Sequence, residues 1–186
     1  MALCERRWGG WPARGCRRRA EARRRRPAAA HKGHHRSYDA RAAIEGHAAA
    51  LAARRIGQGE QEAVLREVLR ENATFLQGGE PAGYMDVNER FHHLVLDLAD
   101  NEVLSRLGGQ LHVMAYHLQT TRVIRAAAPD HELSVAGSAR FHRDIGNAIL
   151  LGEEDHADRL MRAHLLKTRD GILAIGHART TGPLGA

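Results

Sequence analysis

From Ser37 onward the apolar residues recur at intervals of three, four and seven, which restricts the chain to helices packed through one face. Ile44, Ala48, Leu51, Ala52 and Ile56 mark a first helix, with Ser37 and Asp39 as candidate N-caps, and Gly57 and Gly59 break it. A second helix carries Val64, Leu65, Val68, Leu69 and Leu76, and Gly78, Gly79, Pro81 and Gly83 form the next loop. A third begins near Met85 and sets Val87, Phe91, Leu94, Val95 and Leu98 on one face. Asp100 and Asn101 open a long fourth helix through Leu104, Leu107, Leu111, Met114 and Leu118 to Ile124. Pro129 and Asp130 separate it from a fifth that reaches Leu151. Gly152 turns the chain into a sixth, running from about Glu153 to Lys167 with room to extend to Ile175. Six helices with short connections and no strand signal predict an all-α antiparallel bundle.

Composition agrees with that class. Aromatic residues make up 4% of the chain, whereas Ala, Leu and Arg, all strong helix formers, are abundant. An apolar fraction of 43% over 186 residues is enough for one domain with one core. No apolar run approaches the roughly 18 residues that cross a bilayer, so the expectation is a soluble protein without a membrane partner.

The net charge of +6 is unevenly distributed. Residues 1–36 hold eleven Arg and one Lys against Glu5 and Glu21, a local charge of +10, which leaves −4 for the rest. This stretch, with Trp8, Trp11 and scattered Gly, shows no sustained apolar period and reads as a disordered basic tail. It is also compatible with non-specific phosphate contact, with an organelle transit peptide, or with a mis-assigned start. Cys4 and Cys16 both lie in it, and two cysteines make no disulfide framework, so a reducing, cytoplasmic setting is expected. Their spacing to His31, His34 and His35 fits no standard zinc-finger pattern. The organisation expected is therefore a tail over 1–36, a helical domain over 37–178 and a flexible end over 179–186.

Thirteen histidines require sorting by helix face. His93 falls among Asp86, Glu89, Arg90 and Asp97, and His156 among Glu153, Glu154, Asp155 and Asp158, so both read as solvated. His47, His112, His117, His131 and His177 have no partner at helical spacing. His92 borders the stripe of Phe91, Val95 and Leu98, with Asn88 one turn earlier on the same face. His142 lies between Phe141 and Ile145, and His164 sits inside Ala157, Leu160, Met161 and Leu165. One inward His is ordinarily a hydrogen-bonded core residue. Three of them with an Asn are costly to desolvate separately, and a metal would satisfy all at once. His142 precedes Gly152 by about ten residues and His164 follows it by about twelve, so at 1.5 Å per residue both lie roughly 15–18 Å from the turn. Antiparallel packing then puts the two imidazoles at one level, with Asn88 and His92 arriving from a third helix. Three imidazoles and one oxygen suit Zn²⁺ or Ni²⁺, with positions left for water or an acidic effector.

These residues resemble a known pattern. Tyr38-Asp-Ala-Arg41-Ala-Ala-Ile-Glu45 and the Ala-rich run to Arg54, Asn88-Glu-Arg-Phe91-His92 followed by Ala99-Asp-Asn101, and Phe141-His142 through Ile149 with Met161-Arg-Ala-His164-Leu165, are similar to the FCD domain. That domain is the effector-binding part of GntR-type (FadR-like) bacterial transcription regulators, and the resemblance spans about Tyr38 to His164. It implies a bundle of six to seven helices, usually a homodimer, that binds a small organic acid beside a metal held by Asn88, His92, His142 and His164. Asn88 stands where the strongest metal binders of the family have Asp, which removes a negative charge from the site. Arg41, projecting from the first helix, is a candidate effector contact. The family's winged helix-turn-helix has no counterpart in residues 1–36, so DNA binding is implied by resemblance alone and the chain reads as a sensor without its reader. The expectation is a regulator and no enzyme. Two other readings stay open: a hydrolase-type enzyme using a metal-bound water, for which no Glu or Asp is seen on the inward stripes, and a DNA-free interaction module.

Overall fold

The structure, a computed structural model, describes residues 28–57, 59–115 and 134–180. Within them the chain forms six helices and no strand: α1 (Ala28–Arg55), α2 (Glu60–Ala73), α3 (Pro81–Leu98), α4 (Glu102–Ala115), α5 (Val135–Leu150) and α6 (Glu154–Thr180). The expected all-α bundle is what is seen.

The centre of the bundle is α1. It packs against α3, α4, α5 and α6, and it buries Tyr38, Ala42, Ala48, Ala49, Ala52 and Ala53. These residues recur at spacings of three, four and seven, and the five alanines are small enough to let neighbouring helices approach closely. Gly46 shows how close: an added Cβ would stand 2.7 Å from Arg162 Cγ on α6. Phe91, Val95, Leu96, Ile145, Ile149, Met161 and Leu165 complete the main core. A smaller satellite of Tyr84, Met85, Val135 and Ala139, with Phe75 and Leu76 against it, lies where α3 meets α5.

Several helix ends follow from local chemistry. Asn101 caps α4, its Oδ1 accepting from the amides of Val103 and Leu104 at 3.1 and 3.2 Å. Ser134 caps α5 by accepting from the Gly137 amide at 3.0 Å. Gly152, at φ 72°, ends α5 in a Schellman turn, with Glu153 N–H bonded to the Ala148 carbonyl at 2.9 Å and Gly152 N–H to that of Ile149 at 3.0 Å. That turn fixes the α5–α6 hairpin and therefore the register of its facing residues.

The structure corrects the sequence reading at three boundaries. α1 begins at Ala28, so Ser37 and Asp39 lie inside the helix and are not its N-caps. Ala28, Ala29 and Ala30 are strong helix formers and carry the helix back past the capping signal. Ser37 is instead buried, and Asp39 accepts an ion pair from Arg169 on α6 at 2.6 Å. α3 starts at Pro81, a full turn before Met85, because a proline at the first helical position has no amide to leave unpaired. α6 continues to Thr180, beyond Ile175. The expected stretch of the fourth helix to Ile124, the Pro129–Asp130 break and the features of residues 1–27 lie outside the described residues.

Candidate metal centre

α3, α5 and α6 each deliver one buried imidazole to the same point. His92, His142 and His164 are 2%, 0% and 5% exposed, and one ring nitrogen of each lies within 4.8 Å of the others. Their ring centroids form a nearly equilateral triangle, with separations of 5.1 Å (His92–His142), 5.3 Å (His92–His164) and 5.0 Å (His142–His164). The hairpin brings His142 Nε2 to 3.3 Å from His164 Nε2, as the distances from Gly152 predict. Phe91 stacks on the His142 ring at 4.3 Å and Phe141 lies 5.3 Å from His164, which keeps the cluster under an apolar wall. Asn88 is buried on α3, one turn before His92.

Burial sets the charge state. His92 and His142 are held well below the ordinary histidine range, first by desolvation and then by neighbouring positive charge: Arg41 and His164 act on His92, and His164, His92 and Arg41 act on His142. His164 is lowered to about 4, by desolvation first and Arg41 second, with Glu45 opposing. All three rings are therefore neutral at pH 7 and can offer nitrogen lone pairs.

Of the two histidines read as solvated, His156 is exposed whereas His93 is half-buried; His47 is also exposed. The side chains of His112, His117, His131 and His177 lie outside the described residues.

The fourth wall comes from α1, and sequence reasoning missed half of it. Arg41 and Glu45, 2% and 0% exposed, form a buried ion pair, with Arg41 Nε 2.5 Å from Glu45 Oε1 and Nη2 3.3 Å from Oε2. Glu45 Oε2 also lies 2.7 Å from His92 Nδ1. A carboxylate thus does sit beside the histidines, which overturns the expectation that the inward stripes hold none. The missed signal was spacing: Glu45 falls between Ala42 and Ala49 on the stripe that α1 buries. Tyr84 was also missed. It lies four residues before Asn88, donates to Ser138 Oγ at 2.9 Å and stands 3.2 Å from His142 Nδ1.

The donor set fits a divalent cation. Two neutral rings cannot face their bare Nε2 lone pairs at 3.3 Å without a proton or a cation between them, and three buried ring nitrogens within 4.8 Å are a donor set that a metal ion could use. Two of the rings also carry the kind of outer partner that metal-bound imidazoles have: Glu45 for His92 and Tyr84 for His142.

The family model of the FCD domain matches residues 36–167, which covers all seven buried site residues described above: Arg41, Glu45, Tyr84, Asn88, His92, His142 and His164. No curated protein matches the chain.

Proposed function

The chain belongs to the FCD family, the effector-binding domain of GntR-type transcription regulators, and from that premise we propose that it senses a small organic acid through a bound divalent metal. Asn88, His92, His142 and His164 would hold the ion, Zn²⁺ or Ni²⁺ by donor type, and the acid's carboxylate would take an open position on it. The observation that carries this reading is the convergence of three buried, neutral imidazoles within 4.8 Å. Asn88 contributes a neutral oxygen, so the ion keeps its full positive charge for an anionic ligand. Arg41, buried on α1 and close enough to depress all three histidines, would add a second positive contact for that anion.

Effector binding to one packing of the bundle would bias the homodimer it belongs to and, through it, DNA binding by the regulator. A hydrolytic reading would need a free base beside the metal. Glu45 is the carboxylate nearest to hand, and it is bound on one side by Arg41 and on the other by His92. Among the described residues no helix is long and apolar enough to cross a membrane.

Metal analysis of the purified chain and melting with added Zn²⁺ or Ni²⁺ test this. The expected result is near-stoichiometric metal and a stabilisation of about 2.7 kcal/mol at a hundredfold excess over the dissociation constant, lost in His142→Ala. A carboxylate such as acetate or citrate should raise the melting point further only when metal is present. A metal-free protein whose melting ignores both ions would sink the reading.

A further inference from the structure

The two outer contacts of the cluster act on the same atom type. His92 and His142 each have Nδ1 engaged by a residue of another helix, and the Nε2 of His142 faces His164. On α1, Glu45 Oε1 accepts from Arg41 Nε–H at 2.5 Å and Oε2 lies 2.7 Å from His92 Nδ1, so both carboxylate oxygens act as acceptors and His92 Nδ1–H donates to Oε2. On α3, the Tyr84 hydroxyl spends its hydrogen on Ser138 Oγ, so its oxygen accepts from His142 Nδ1–H. Both rings are thereby fixed as the Nδ1–H tautomer, with Nε2 unprotonated. The Nε2 of His142 is the atom that meets His164 at 3.3 Å.

We propose that Glu45 and Tyr84 are the positioning residues of this histidine cluster. They set the tautomer and tilt of His92 and His142 before any ion arrives, and Arg41 in turn holds Glu45. The inference rests on the metal-site reading for its consequence, but the tautomers are a property of the metal-free protein and can be measured separately. Neither residue touches the shared centre of the three rings. Each acts through the histidine it holds.

The consequence is an affinity effect without loss of any ligand. For a metal to bind, the His164 proton that faces His142 Nε2 would move through solvent to His164 Nδ1, whereas His92 and His142 would already hold their protons on Nδ1 and offer Nε2. Removing an outer partner of a bound imidazole ordinarily weakens metal binding 10–100-fold. Glu45→Gln keeps an acceptor oxygen for His92 Nδ1–H while removing the charge that enforces it. Tyr84→Phe removes the acceptor for His142 and keeps the ring against Phe75, which it meets edge-on at 5.4 Å.

The experiment has two arms on the full chain. Long-range ¹H–¹⁵N spectra of the metal-free protein, with His92→Gln and His142→Gln for assignment, report which nitrogen of each ring carries the proton. The expected state is Nδ1–H for both, with the His92 signal shifting toward a tautomer mixture in Glu45→Gln and the His142 signal shifting in Tyr84→Phe. Competition against a chelator then gives Zn²⁺ affinity. The expected loss is about tenfold in each variant, and larger in Glu45→Leu with Arg41→Met, which removes the carboxylate and its counter-charge together. Circular dichroism confirms that each variant is folded, and a general structural role would not move the individual ring signals. Nε2–H tautomers in the wild-type protein would overturn the proposal, as would Zn²⁺ affinities within twofold of wild type in both single variants. Should the wild-type chain bind no metal, the effector reading falls while the tautomer arm still decides this one.

Discussion

Two stretches of α1, less than two turns apart, are buried equally well by opposite means. Around Ala48, Ala49, Ala52 and Ala53 the helix meets its neighbours through methyl groups, and contact there depends on volume alone. Around Arg41 and Glu45 the same helix buries a full ion pair and ties it to a histidine of α3. The apolar seam gains from removing carbon from water, at roughly 25 cal/mol per Å². The polar stretch pays desolvation for two charges and regains it only through the partners it finds. A fold that needed only stability would repeat the seam. The polar stretch is where the bundle departs from packing for stability alone, beside the three buried histidines.

The contrast is sharpest on removing one charge. Arg41→Ala leaves Glu45 buried with His92 as its remaining partner, and stability should fall by about 3–5 kcal/mol in urea unfolding at pH 7. Arg41→Met combined with Glu45→Leu removes both charges and should recover much of that loss. If Arg41→Ala melts like the wild type, the polar stretch is solvated in a way that its 0–2% exposure denies.

How much of this was written in the sequence differs between the same two stretches. The seam announces itself by spacing, and so do the helices and the His142–His164 pairing, because Gly152 gives a fixed point from which to count. Arg41 and Glu45 did not stand out as a pair. Four residues apart, they look like an ordinary surface i, i+4 ion pair, of which Glu62–Arg66 and Glu102–Arg106 are exposed examples in this chain. What distinguishes them is that α1 is covered by four other helices, a fact of tertiary packing that a single helix pattern does not contain. Tyr84 was hidden for a local reason. Pro81 lies among Gly78, Gly79 and Gly83 and so looks like loop, and the start of α3 at Pro81 is what brings Tyr84 into line with Asn88 and His92.

Acid should separate the two regions next. In the metal-free protein His164 stays neutral down to about pH 4, whereas in the unfolded chain it takes a proton near pH 6.5. The unfolded state therefore binds more protons between those values, and stability falls as pH falls through that window. His164 alone accounts for a loss on the order of 3 kcal/mol by pH 4. His92 and His142, lowered in the same direction, add to it. His164→Gln should show a visibly shallower decline in urea midpoint from pH 7 to pH 4.5 than the wild type. Parallel declines would mean that the exposed carboxylates, rather than the cluster, set acid stability.

The seam should answer only to volume, and more weakly. Ala49 is fully buried on α1, so Ala49→Leu adds three carbons where neighbouring helices are already in contact and should cost about 1–3 kcal/mol. Ala43→Leu makes the same chemical change on the exposed face of the same helix and should be near neutral, since Leu and Ala have similar helix propensities. The pair also reads the coupling between the two stretches. Ala49 follows Glu45 by one turn, so a helix pushed outward at Ala49 draws the carboxylate away from His92. If the seam serves only to pack, Ala49→Leu lowers the melting point and leaves metal affinity as it is in Ala43→Leu. If it also sets the height of α1 above the histidines, the two variants part in Zn²⁺ affinity by more than their stabilities differ. A rigid core transmits a displacement of that kind along a helix with little loss, and the second outcome is the one expected here.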